Sequence, residues 1–287
     1  MVANSTSVNI GIFRVYCGEG CVITLGRTLV TEWHSHLSYQ ISLGLHGNPL
    51  ALDVNNERCL ANGFIIGSAI PHRLEVYGDC CLTILVDSDH LHSHHLQHLL
   101  QSREVLKLSS QQVKNMLLQI FDAFENKQYL DIKTLMASLN KPCGCHYGLD
   151  KRIAKAVEII DCLPEKIISS QSIAEKVCLS ESRFRHLFKE NIGVNFRQYL
   201  LWRRLNDALK YALLTNSLTI AATKAGFSDS AHLSRTCKEM YGLKPSFIMR
   251  QGYLSSSLAT LVSGVEQELV NTQLLLGRQY CTLCTLV

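Results

Sequence analysis

The chain has 287 residues, 47% hydrophobic and 18% charged, which excludes a disordered or collagen-like chain and leads us to expect about two domains. No apolar run approaches the ~18–20 residues of a membrane span, and the opening MVANSTSVNI has neither the basic nor the apolar segment of a secretion signal. With twelve cysteines and no such signal, the expectation is a cytoplasmic protein with reduced thiols and no membrane partner.

The net charge of +4 is unevenly spread: residues 151–250 hold 17 Lys and Arg against 9 Asp and Glu, leaving 11 against 15 elsewhere. A basic block beside an acidic one suits one domain that meets a polyanion and one that does not. Chance segregation of solvated surface charge gives the same count, so charge alone does not decide.

Residues 8–87 break into short alternating or β-rich runs: CVITLGRTLV from Cys21, YQISLGL from Tyr39, PLALDV from Pro49, GFIIGSAI from Gly63 and CCLTILVD from Cys80. Turn signals such as His46-Gly47-Asn48-Pro49 and Asn55-Asn56 separate them, as in a β-sandwich or small barrel. From His90 the apolar spacing becomes helical, and Leu117, Ile120, Phe121 and Phe124 form one face, a packing or dimer surface. Asn140 to Gly148, with Pro142 and two glycines, breaks both periods and reads as a linker. The expected domains are 8–138, a linker at 139–149, a helical domain at 150–250, and a tail at 251–287 with no assigned role.

The helical half contains an internal repeat. Ser169, Ala174 and Ser180 recur as Ser217, Ala222 and Ser228, each 48 residues on, while Lys189 and Gly193 recur as Lys238 and Gly242, 49 residues on. Serines suit helix N-caps and glycines suit C-caps. Cys178 and Gly226 fall in the turn, where a short or absent side chain fits. Each copy therefore reads as helix-turn-helix, with its second helix the one that enters a major groove. Between them, residues 196–216 read as a helix of about 20 residues, roughly 30 Å long, close to the ~34 Å between successive major-groove faces.

On the recognition helices, Ser182, Arg183, Arg185, His186 and Lys189 of the first copy are the candidates to touch double-stranded DNA, with Ser230, His232, Ser234, Arg235 and Lys238 of the second. Arginines near a helix start suit base edges. Lys189, Lys238, Arg203 and Arg204 suit phosphates.

Residues 150–250 resemble the DNA-binding domain of the AraC/XylS family, most specifically through AGFSDSAHLSRTCKEMYGLKPSFIMR at 225–250, with Gly226, Phe227, Ser228, Lys238, Gly242 and Pro245 in the family pattern. Ala221, Leu233 and Cys237 depart from it, each smaller than the usual residue, and shrink the core of the second unit. The resemblance implies an α+β multidomain protein: an N-terminal cupin-like β-barrel or sandwich with helices, then an all-α domain with two helix-turn-helix units. It implies a homodimeric, effector-responsive activator that engages RNA polymerase, with no catalytic residue and no cofactor.

His34, His36, Gln40 and His72 resemble the cupin site of the effector domain and are the candidate small-molecule contacts. In metal-binding cupins a Glu stands where Gln40 stands, so no metal is assigned. Three readings of the histidines stay open: an effector pocket, a three-His metal site, or hydrogen bonding within the strands. The alternative for the whole chain is a metal-dependent cupin enzyme or a metal or redox sensor fused to a DNA-binding domain. His90, His94 and His98, spaced by four, and the pairs Cys143/Cys145 and Cys281/Cys284 are weaker candidates of the same kind.

Overall fold

The computed structural model describes residues 13–255 apart from 19, 28, 77–79, 90–92, 126–133, 136–138, 140–147 and 164–165. The linker expectation falls largely outside these residues, as do His90, Cys143, Cys145, Cys281 and Cys284.

The N-terminal half holds β1 (Phe13–Gly18), β2 (Cys21–Arg27), β3 (Tyr39–Gly44), β4 (Leu50–Val54), β5 (Glu57–Ala61), β6 (Gly63–Ile66), β7 (His72–Glu75), β8 (Cys80–Val86), α1 (Ser93–Leu100), β9 (Val105–Leu108) and α2 (Ser110–Glu125). The C-terminal half is helical: α3 (Lys151–Asp161), α4 (Ser170–Lys176), α5 (Glu181–Ile192), α6 (Phe196–Thr215), α7 (Leu218–Lys224), α8 (Ser230–Tyr241) and α9 (Pro245–Gln251). A last strand, β10 (Gly252–Ser255), follows without a break.

Two sheets form the sandwich, in the orders β10-β1-β2-β8-β3-β6-β9 and β5-β4-β7. Central β8 is buried along its whole length, as expected of a strand covered on both faces. Alternation along the strands splits the sheet between two cores. Ile23, Leu25, Ile41, Leu43 and Ile84 pack with Met116, Leu117, Ile120 and Phe121, so Leu117, Ile120 and Phe121 of the α2 face read as a packing or dimer surface are spent on the chain's own sheet. Phe64 and Ile66 turn the other way, to Leu50, Leu52 and Leu74 of the small sheet.

The tail has a definite start. β10 pairs in parallel with β1, Phe13 opposite Gly252 and Tyr16 opposite Ser255, so the strand after the last helix of one half is an edge strand of the other. A parallel pair needs a long crossover, and here the whole of both halves lies between the partners.

The helical half is organised on α6, whose Phe196, Tyr199, Leu200, Trp202, Leu205, Ala208 and Ala212 are buried. Ile173, Phe184 and Phe188 pack on it from the first unit, and Ala222, Leu233 and Cys237 from the second. Among the described residues no helix is long and apolar enough to cross a membrane.

Candidate nucleic-acid interface and effector site

Both repeat units fold as the caps require. The Ser169 and Ser217 hydroxyls accept the main-chain N–H of Ser172 and Ile220, which opens α4 and α7. Gly193 (φ 86°) and Gly242 (φ 65°) close α5 and α8 in the left-handed conformation. The second helices differ. Ser180 caps α5, accepting from Arg183, but α8 is capped by Asp229 and not by Ser228. The extra residue of the second copy therefore lies in its turn, after the left-handed Gly226 (φ 74°) that matches Cys178 (φ 56°).

Ser182, Arg183, Arg185, His186 and Lys189 are all exposed on α5. On α8, Arg235 and Lys238 are exposed, while Ser230, His232 and Ser234 are half-buried. The Ser234 hydroxyl donates to the Ser230 carbonyl, and His232 Nδ1 lies 3.2 Å from the Ser228 hydroxyl. A groove of about 780 Å³ joins the two units, lined by Arg185, Lys189, Arg197, Arg204 and His232 among others. Four cations, two on α5 and two on α6, give it a positive field. Arg197 was not singled out from the sequence; its place one residue into α6, beside Phe196 of the core, was the signal.

Arg203 is a correction. It points away from this groove, into a polar cluster between the two halves. Its guanidinium lies 3.5 Å from Asp87 and 3.7 Å from Asp89, and also pairs with Asp161. Tyr199 donates to Asp89 (2.6 Å), and Trp202 and Ser38 donate to Asp87 (3.1 and 3.2 Å). Burial, reinforced by Asp89, pushes the Asp87 carboxyl up to about 6. Burial and Asp89 also raise the Tyr199 phenol well above its usual value, so it stays a donor.

Next to this cluster lies a cavity of about 400 Å³, walled on one side by Thr24, Gln40, Thr83 and Leu85 of the sheet and on the other by helical residues including Lys166, Asp207 and Leu213. Lys166 is itself buried and ion-paired to Asp207 at 2.5 Å. Of the four candidate effector contacts, His34, His36 and Gln40 line this cavity, while His72 sits directly behind them, fully buried. The three imidazoles converge: one ring nitrogen of each lies within 4.8 Å of the others. Burial lowers all three pKa values, with mutual repulsion adding to it for His34, at about 3, and for His72. They are neutral at pH 7. His94 and His98 lie on α1, half-buried and exposed respectively.

A pair of linked helix-turn-helix units with a basic groove between them defines a DNA-binding domain of the helix-turn-helix class. Comparison with known proteins agrees, since residues 173–251 match the helix-turn-helix domain family. The arabinose operon regulatory proteins of Salmonella typhimurium and Escherichia coli are 33% and 34% identical over 114 residues, 39% of this chain. Those matches span 40% and 38% of the relatives' own length. The whole architecture is similar to an apo form of ToxT from Vibrio cholerae, with a TM-score of 0.56 at 10% identity, covering 82% of this chain and 98% of that one. A second ToxT structure, with an unsaturated fatty acid bound, gives 0.54 at 12% identity over 81% and 96%. The likeness to these regulators lies in the helical half, and the ToxT likeness extends the shared fold to the sandwich.

Proposed function

We propose that the chain is an effector-responsive transcription activator that reads two successive major grooves of double-stranded DNA. The observation that carries this reading is the groove in which Arg185, Lys189, Arg197 and Arg204 meet between two capped recognition helices. Arg183 and Arg185 read bases, together with the α8 residues from Ser230 to Arg235. Lys189 and Lys238 hold phosphates with Arg197 and Arg204. The relatives are regulators by name, which supports a regulator over the enzyme alternative.

The cavity between the halves supports an effector of mixed character, with an apolar body against Leu85, Leu209 and Leu213 and a polar end toward His34, His36 and Gln40. The fatty acid in ToxT is one such molecule. Because both halves wall the cavity, a ligand there changes how they dock, and through docking how the two units meet half-sites, a homodimer partner and RNA polymerase.

Fluorescence anisotropy on a short duplex tests the first part. Four phosphate contacts predict a log–log salt slope near about −3.6, and Arg197→Ala and Arg204→Ala each reduce its magnitude by about 0.9. An unchanged slope in both variants would place the DNA elsewhere.

A further inference from the structure

The three converging histidines share one feature. The Nδ1 of His34 contacts the Glu32 carbonyl at 2.8 Å, that of His36 the Ser38 carbonyl at 2.9 Å, and that of His72 the Ile70 carbonyl at 2.8 Å. A carbonyl only accepts, so each Nδ1 carries the ring proton and each Nε2 is left with a lone pair. Metal-binding histidines are commonly fixed in this way, by an outer carbonyl that orients the ring and sets its tautomer.

Gln40 sharpens the point. Its Oε1 lies 2.8 Å from His36 Nε2 and 3.3 Å from His72 Nε2, while its amide nitrogen donates to the Ser42 hydroxyl at 2.9 Å. Two imidazole lone pairs and an amide oxygen thus face one another with no hydrogen between them. Either a cation sits among them, or the amide turns round so that its NH₂ donates to both rings. The two states make opposite predictions for an added metal.

We propose that His34, His36 and His72, with the amide oxygen of Gln40, bind a divalent first-row transition metal, and that its occupancy sets the hold of the 31–36 segment on the second recognition helix. Three neutral imidazoles and one neutral oxygen suit zinc, nickel, cobalt or ferrous ions and disfavour calcium and magnesium. His34, His36 and Gln40 border the cavity, which gives the ion a way in.

The coupling is structural. The Glu32 N–H donates to the Gly242 carbonyl (2.9 Å) and the Ser35 N–H to the Glu239 carbonyl (3.1 Å), so the segment carrying two ligands is tied to the end of α8. The Glu32 carboxylate pairs with Lys238 at 2.7 Å. The His36 ring lies 5.9 Å from that of Trp202, which stacks on Tyr241 at 5.2 Å. Drawing the rings around an ion shifts this segment against α8 and Lys238.

The metal clause is independent of the DNA reading, while the coupling clause rests on it, and the test separates them. Cobalt chloride is titrated into tag-free full-length protein while the visible d–d bands are followed. The expected result is one cobalt per chain, loss of the bands in His72→Asn, and affinity at least tenfold tighter in Gln40→Glu, where a carboxylate replaces the neutral ligand. A gain in affinity cannot come from misfolding. Absence of the bands in both wild type and Gln40→Glu overturns the site. So does binding that survives loss of His34 and His36 but is abolished by removing His94 and His98. For the coupling, saturating zinc is expected to shift affinity for DNA at least threefold in the wild type and not in His34→Asn. Unchanged DNA affinity with zinc bound overturns that clause alone, and no DNA binding in any state overturns the proposed function while leaving the cobalt result standing.

Discussion

Lys238 Nζ lies 2.7 Å from a carboxylate oxygen of Glu32, so a lysine on α8 of the helical half is held by the N-terminal half. Both side chains are about half exposed, at 45% and 56%, which limits the pair to ~1 kcal/mol or less. Even so, on the proposed function the contact competes with phosphate for the same ammonium. Glu32→Gln is therefore expected to raise DNA affinity about twofold to fivefold, a change that 1 kcal/mol can supply. Lys238→Ala weakens specific and random duplexes alike and reduces the salt slope by about one, whereas Arg183→Ala costs ~1–3 kcal/mol at one base position. Equal losses on specific and random DNA for Arg183→Ala contradict its role as a base reader.

Gly242 and Gly193 are the same cap in the two units, yet their surroundings differ. A Cβ at Gly193 would meet nothing within 4 Å, whereas one at Gly242 would lie 2.6 Å from the Glu32 carbonyl and 2.7 Å from His34 Nδ1. Both positions have positive φ, so alanine costs ~1–2 kcal/mol at either. At Gly242 it must also part the two halves. In the full chain Gly242→Ala is expected to lower Tm clearly more than Gly193→Ala and to expose the 31–36 segment to proteolysis. Equal effects would mean that the halves are not docked at this point.

Arg203 and Arg204 should separate in the same way. Removing Arg203 leaves Asp87 and Asp89 buried without their cation, which costs about 3–5 kcal/mol when the pair is well buried; with Arg203 a fifth exposed, the lower end is expected. Chemical denaturation of Arg203→Ala reads this loss, and its salt slope on DNA stays unchanged. Arg204→Ala does the reverse.

Cys178 holds a left-handed conformation at φ 56° in the turn of the first unit, where the second unit has Gly226. A non-glycine residue there costs ~1–2 kcal/mol, partly offset by the extra freedom glycine gives the unfolded chain. Cys178→Gly is expected to stabilise the protein by up to ~1 kcal/mol, measured as a shift in denaturation midpoint with unchanged m. A loss of stability would contradict the turn geometry.

Asp87 titrates near about 6 in the folded protein, above its value in an unfolded chain. It is faced by Asp89, Arg203, Trp202 and Ser38, with Asp161 and Tyr199 on the same guanidinium. A carboxyl that holds its proton more tightly when folded adds stability at low pH, which is lost as pH rises through about 6. The buried histidines pull the other way, but equally in wild type and variant. The Tm of Asp87→Asn relative to wild type is therefore expected to rise between about pH 5 and about pH 7.5. A constant difference would show that Asp87 is not buried as described.

The repeat was legible because caps and turns demand particular residue types. Serine before a helix and glycine after it carry the same meaning in both copies, and the spacing change from 48 to 49 located an inserted residue. The cap itself was misplaced by one, since Ser228 and Asp229 are equally good capping residues and only the backbone shows which is used. The face between the halves was not legible. Adjacent residues on a helix point about 100° apart, so Arg203 and Arg204 serve different surfaces although nothing local distinguishes them. The partners of Arg203, Asp87 and Asp89, lie in another domain, more than a hundred residues away. The histidines could be listed from the sequence, but their convergence depends on the pairing of His34 with His72 across the sandwich. The strand at 252–255 was equally hidden, because Gly252 to Ser255 becomes a strand only by pairing with β1.

The central claim is that two units on one chain read two successive major grooves. Selection of random duplex DNA on the full-length protein at ~150 mM salt tests it directly, with the length and spacing of the enriched site as the readout. Two enriched blocks about ten base pairs apart, each weakened by substitutions in its own recognition helix, are the predicted result. A single enriched block would contradict the tandem reading. No enrichment, by the full chain with or without zinc and fatty acids and by residues 150–250 alone, would contradict DNA recognition altogether.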